Sequence, residues 1–217
     1  MSAIPTIPVC DDLLDTAAIA RAPLVGDPFT YFVVPAAIRP AAVQAINRDY
    51  PKLPGPGAHP IEGLALGGAA ADFWQMLNGE RFRALMSDKL GLDLTGTTIM
   101  GTMRSACEPA DGAIHTDSKT KIVTVLFYFN ETWPHEGGRL RLLRSGTDLE
   151  DYAAEVEPAR GAMLAFCRSE RSWHGHRSFD GPRRLLQMHY ADAKRVERNA
   201  KKRRSVGWRL KKLLSLG

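Results

Sequence analysis

The chain has 217 residues, 44% hydrophobic and 24% charged, with a formal net charge of +5 from 29 basic and 24 acidic side chains. That balance is typical of one globular domain with appendages and excludes a disordered chain, a collagen-like repeat and a coiled coil. No apolar run reaches the roughly 18 residues of a membrane-crossing helix, and the cysteines, Cys10, Cys107 and Cys167, lack the CxxC spacing of a thiolate metal site.

The N-terminus, MSAIPTIPVCDDLLD, lacks a basic region and meets Asp11 and Asp12 early, so no secretory signal is expected and a reducing cytoplasm fits. Residues 1–27 read as a weakly structured lead with a helical piece around Asp11–Ala20. Phe29–Val34 is strand-like, and AAVQAINRDY after Pro40 has helical spacing through Val43, Ile46 and Tyr50. A Pro/Gly-rich loop, PKLPGPGAHP, precedes two predicted helices, Ala69–Leu77 and Arg81–Leu90.

From about Thr97 short strand-like runs follow closely: Thr97–Arg104, Ile114–Asp117, Ile122–Asn130, Gly138–Leu143, Glu155–Glu157, Ala162–Cys167 and Arg183–Tyr190. Gly, Pro, Asp or Asn bounds each, which predicts an antiparallel jelly roll with the earlier helices packed outside one sheet. The expected fold class is therefore α+β, mainly β. The expected organisation is a domain over residues 1–193, with its core at about 97–190, and a basic tail over 194–217.

His115-Thr116-Asp117 places an imidazole and a carboxylate two residues apart, on one face of a strand. His174, in Arg171-Ser172-Trp173-His174-Gly175, is the candidate for a second imidazole. Two His and one carboxylate on one side of an ion leave three positions open, the pattern of non-haem iron(II) oxygenases. Nine residues after His174 stands Arg183, whose guanidinium can grip a carboxylate through a bidentate pair.

From Thr98 to Tyr190 the chain resembles the 2-oxoglutarate- and Fe(II)-dependent oxygenase superfamily, in its prolyl-4-hydroxylase-like branch. The matching residues stand in order: His115-Thr116-Asp117; Ile122–Asn130 ending in Tyr128-Phe129-Asn130; Trp133 with Glu136-Gly137-Gly138-Arg139-Leu140; Val156-Glu157-Pro158 to Gly161 and Leu164-Ala165-Phe166; then Trp173-His174-Gly175 and Arg183. The resemblance implies a double-stranded β-helix in which His115, Asp117 and His174 bind Fe(II) and Arg183, with Tyr128, holds the far carboxylate of 2-oxoglutarate. It also implies dioxygen as co-substrate, ascorbate as an optional addition, and hydroxylation of an unactivated C–H bond with release of succinate and CO2.

Several neighbours compete for these roles. His176 shares the face of His174, although the Trp-His-Gly context favours His174. Arg184 replaces Arg183 if the strand register slips by one. His189 shares the strand face of Arg183, Leu185 and Gln187 and is expected to line the cavity. Tyr128 and Cys167 also read as plain core residues, and His135 as a solvated turn residue. Arg104 and Ser105 are candidates for the co-substrate pocket. The substrate-facing loops are expected at Pro51–Leu66, after Asp117 and at Gly146–Tyr152. They leave a lipid or glycan precursor, a peptidyl residue and a small molecule open.

Residues 191–217 hold 10 Lys/Arg and 2 Asp/Glu, a charge of +8, so the other 190 residues carry 19 and 22, a charge of −3. In the tail, Val206, Leu210, Leu213 and Leu214 share a helical stripe beside Trp208, amid basic residues. This pattern predicts contact with an anionic membrane surface, against a docked helix or nucleic-acid contact through Lys194–Arg204. The function of a different class is a non-oxidative jelly-roll module binding a glycan, lipid headgroup or protein. A zinc hydrolase using the same triad is a third option.

Overall fold

The computed structural model describes residues 10–202. Two short helices, α1 (Cys10–Leu13) and α2 (Thr16–Arg21), replace the single helix expected over 11–20. Asp15 is the reason for the break: its carboxylate accepts a 2.8 Å hydrogen bond from the Ala18 N–H and so caps α2. Strand β1 is Tyr31–Val34, and α3 (Pro40–Arg48) begins with proline, whose missing N–H costs nothing in a first turn. The Pro/Gly loop ends in a two-residue strand, β2 (His59–Pro60). Helices α4 (Gly68–Leu77) and α5 (Glu80–Leu90) follow as expected.

The remaining strands are β3 (Thr98–Cys107), β4 (Lys121–Tyr128), β5 (Leu140–Leu143), β6 (Tyr152–Val156), β7 (Met163–Cys167), β8 (His174–Gly175) and β9 (Gly181–Ala191). They form a six-stranded sheet, β1-β7-β4-β9-β3-β2, and a three-stranded sheet, β6-β5-β8. All their pairings are antiparallel. This is the double-stranded β-helix. The expected strand at Ile114–Asp117 is instead a single bridge, His115 to His174, on the free edge of β8.

Period-two alternation splits the apolar residues into two cores. Val123, Val125, Phe127, Leu186, Met188 and Tyr190 pack with α3, α4 and α5 on the outside of the large sheet. Phe73 of α4 meets Phe127 edge to face at 5.2 Å between ring centroids. Leu126, Tyr128, Leu164, Phe166 and Leu185 point between the sheets and meet Leu140 and Leu142 of β5.

A final helix, α6, covers 193–202 and ends where the described residues end. The Arg195 guanidinium donates to the Lys119 carbonyl at 2.7 Å, and Asn199 donates to the Thr120 hydroxyl at 3.1 Å. The stripe expected around Trp208 lies outside the described residues. Among the described residues no helix is long and apolar enough to cross a membrane.

Candidate metal and co-substrate site

The site sits at one end of the roll, where the chain from 112 to 117 runs beside β8. Two glycines permit that approach. Gly112, at φ 92°, accepts the His176 N–H at 2.9 Å, and a Cβ there would strike the His176 ring. A Cβ on Gly175 would lie 2.8 Å from the Gly112 carbonyl. Backbone bonds of 3.0 Å in both directions then join His115 to His174.

This brings one donor atom each of His115, Asp117 and His174 within 4.8 Å of one another. The His115 and His174 rings lie 4.3 Å apart, and Phe166 backs His174 at 4.8 Å. Both tautomers follow from elementary donor counting. The Nδ1 of His115 is 2.8 Å from the Ala113 carbonyl, and the Nδ1 of His174 is 2.9 Å from the Ser172 carbonyl. A carbonyl only accepts, so each Nδ1 carries hydrogen and Nε2 is the ring nitrogen left to face an ion.

The charges suit a cation. Burial is the main cause that pulls His174 down to about 4, so it is neutral near pH 7. Burial also raises the Asp117 carboxyl, but the charges of Lys121 and His174 and hydrogen bonds from Lys121 and Thr124 outweigh it and bring Asp117 to about 2. Lys121 Nζ lies 2.6 Å from Asp117 Oδ1, and Thr124 donates to Oδ2. The sequence reading missed Lys121 and Thr124. Thr124 left one signal: a hydroxyl at an inward position within the otherwise apolar Val123–Phe127 run.

Behind the three residues is a cavity of about 110 Å³ lined by His115, His174, His176, Arg183, Leu185 and Gln187, among others. Arg183 is 3% exposed. Its Nε donates to the Gly138 carbonyl at 2.8 Å, and its guanidinium lies over the Tyr128 ring at 5.3 Å. Its Nη2 and the Tyr128 hydroxyl have no hydrogen-bond partner among the described residues. Burial raises the Tyr128 phenol and the Arg183 charge opposes the shift, which leaves a neutral donor.

The structure also places the competitors. Arg184 faces outward, over the Tyr50 ring at 5.2 Å and 3.1 Å from Asn47 Oδ1. His176 lines the cavity, and its Nδ1 is 2.9 Å from the Arg177 carbonyl, but it is not among the three clustered donors. His189 is buried beside Thr124, at 3.0 Å. Arg104 also lines the cavity and is paired with Asp111. His135 sits in a turn against Trp133 and Phe179. Cys167 is half-buried at the edge of the outer core.

Residues 105–191 match the family model of the 2OG-Fe(II) oxygenase superfamily. Among solved structures, the chain is similar to a prolyl-4-hydroxylase of Pseudomonas putida, at 18% identity and a TM-score of 0.53, covering 89% of this chain and 97% of that one. It is also similar to a prolyl 4-hydroxylase of Phytophthora capsici, at 14% identity and a TM-score of 0.56, covering 89% and 68%. A third is the collagen prolyl hydroxylase of Paramecium bursaria Chlorella virus-1 in its 2-oxoglutarate complex, at 11% identity and a TM-score of 0.51, covering 77% and 99%. No curated protein matches the chain. The likeness to these structures shows the fold, and the match to the superfamily model lies in the motif-bearing segment, residues 105–191. The β-roll thus has the fold of these prolyl hydroxylases, and its segment 105–191 is similar to 2OG-Fe(II) oxygenases.

Proposed function

We propose that this protein hydroxylates an unactivated C–H bond, with His115, Asp117 and His174 as the iron ligands and Arg183 and Tyr128 as the clamp on 2-oxoglutarate. The observation that carries this reading is the pair of buried donors without partners, Arg183 Nη2 and the Tyr128 hydroxyl, beside a cavity that also meets His115 and His174. Leaving a buried charged donor unsatisfied costs free energy that an acceptor entering the cavity returns. A carboxylate offers acceptors to both groups. A binding module without oxidation needs neither donor beside a metal triad.

When bound together, iron, 2-oxoglutarate and dioxygen supply oxidative decarboxylation to succinate and CO2 and transfer of oxygen to carbon. The protein's own residues position and shield. Arg183 and Tyr128 fix the far end of the co-substrate, and the carbonyls of Ala113 and Ser172 hold the His115 and His174 rings with Nε2 free. Leu126, Leu140 and Leu185 supply a dry wall to the cavity. A peptidyl residue is the substrate class to test first, because the similar structures are prolyl hydroxylases. Domain limits of 1–193 and 194–217 belong to the same proposal. So does contact of the tail with an anionic membrane, supported by the exposed Lys194, Arg198, Lys201 and Lys202 of α6.

The test is 2-oxoglutarate-dependent oxygen uptake with Fe(II) in the presence of proline-containing peptides, glycans and lipids. Stimulation by one pool with stoichiometric succinate supports the reading. Substrate turnover without oxygen contradicts it. Co-sedimentation with anionic vesicles, full length against a 1–193 truncation, tests the tail; equal binding removes the membrane contact.

A further inference from the structure

His189 is a buried imidazole that the three-ligand site does not use. It stands on β9 directly opposite Thr124 of β4, so the backbone ladder fixes their spacing. Its Nδ1 is 3.0 Å from the Thr124 hydroxyl oxygen, and that hydroxyl lies against Asp117 Oδ2. The ion pair with Lys121 keeps Asp117 a carboxylate, which only accepts hydrogen bonds. Thr124 has one hydroxyl proton, so that proton points to Asp117. The Thr124 oxygen must then accept, and His189 Nδ1 must be the donor in either charge state of the ring. The chain of donation runs from His189 Nδ1–H through the Thr124 hydroxyl to Asp117 Oδ2. All three side chains are buried.

From this we infer that Thr124 and His189 are positioning residues that hold the Asp117 carboxylate in the orientation a divalent ion requires. The inference rests on the proposed role of Asp117 as a ligand. Packing gives no reason for a hydroxyl at position 124, since valine has nearly the same shape and stands at 123 and 125. Lys121 takes the other oxygen, so Asp117 is held from two sides and cannot rotate freely about its terminal bond. Partners of metal ligands in this relation typically contribute about 10–100-fold in metal affinity.

The test is titration of the full chain with Mn(II), followed by electron paramagnetic resonance, without 2-oxoglutarate or substrate. Thr124→Val and His189→Leu are expected to weaken binding about 10–100-fold, while Thr124→Ser stays within about threefold of wild type. His189→Asn is also expected to stay close to wild type, because its amide nitrogen stands where the imidazole Nδ1 stands. Thermal unfolding of the metal-free variants separates lost affinity from lost fold. Binding by a folded Thr124→Val within about twofold of wild type overturns the relay. Should Thr124→Val not fold, equal weakening by His189→Asn and His189→Leu overturns it instead. Undiminished Mn(II) binding by Asp117→Ala is a different outcome: it overturns the ligand assignment itself.

Discussion

On β4, Val123, Val125 and Phe127 enter the helix-covered core, while Thr124, Leu126 and Tyr128 point into the roll. On β9, Leu186, Met188 and Tyr190 go outward, and Arg183, Leu185, Gln187 and His189 go inward. The same two strands therefore carry an apolar face that holds the fold and a mixed face that holds the chemistry. The outer face gains stability from burial alone. The inner face meets a buried guanidinium, three buried imidazoles and a buried carboxylate from its own strands and the segments packed against it, each of which disfavours the empty protein unless a partner satisfies it. A slip of one residue in either strand would exchange the two faces.

Substitutions on opposite faces should therefore fail in different ways. On the inner side, Asp117→Ala is expected to abolish 2-oxoglutarate turnover while circular dichroism still reports the native fold. On the outer face, Phe127→Ala is expected to cost about 3–5 kcal/mol in denaturant unfolding while the folded fraction keeps its Mn(II) affinity. Neighbouring arginines give the sharpest contrast. Arg183→Leu should raise the KM for 2-oxoglutarate about 10–100-fold, the value of hydrogen bonds to a charged group, and Arg184→Leu should leave it within about twofold. Equal effects of the two would erase the distinction between faces.

A smaller effect is expected from pH. His174 and His176 are each lowered from 6.5 to about 4, and His189 to about 3, chiefly by burial. The unfolded chain therefore takes up these protons first as pH falls. The associated stability is complete above pH 6.5 and is lost progressively toward pH 3–4. Urea unfolding of chelator-treated protein should show a falling midpoint from pH 7 to pH 4.5. A flat profile would mean that these imidazoles are solvated.

The long strands were legible because β4, β7 and β9 carry dense apolar runs between turn residues, and parity alone put Arg183 with Gln187 and His189. The order and spacing of the motif residues carried the resemblance that the match over residues 105–191 also finds. The two-residue strands β2 and β8 were not legible, since His59-Pro60 and His174-Gly175 have no periodicity to detect. His115-Thr116-Asp117 reads as a strand, yet only one bridge forms, because Gly112 and Gly175 draw the backbones together at a single point. The Lys121–Asp117 and Thr124–His189 contacts depend on cross-strand register and loop closure, which local pattern does not encode.

The central claim is that one divalent ion is held by His115, Asp117 and His174 with 2-oxoglutarate anchored at Arg183. Anaerobic addition of Fe(II) and 2-oxoglutarate tests it directly by visible absorption. A weak metal-to-ligand charge-transfer band should form in the wild type, vanish in Asp117→Ala and weaken in Arg183→Ala. Absence of the band in the wild type, or an undiminished band in Asp117→Ala, would contradict the account.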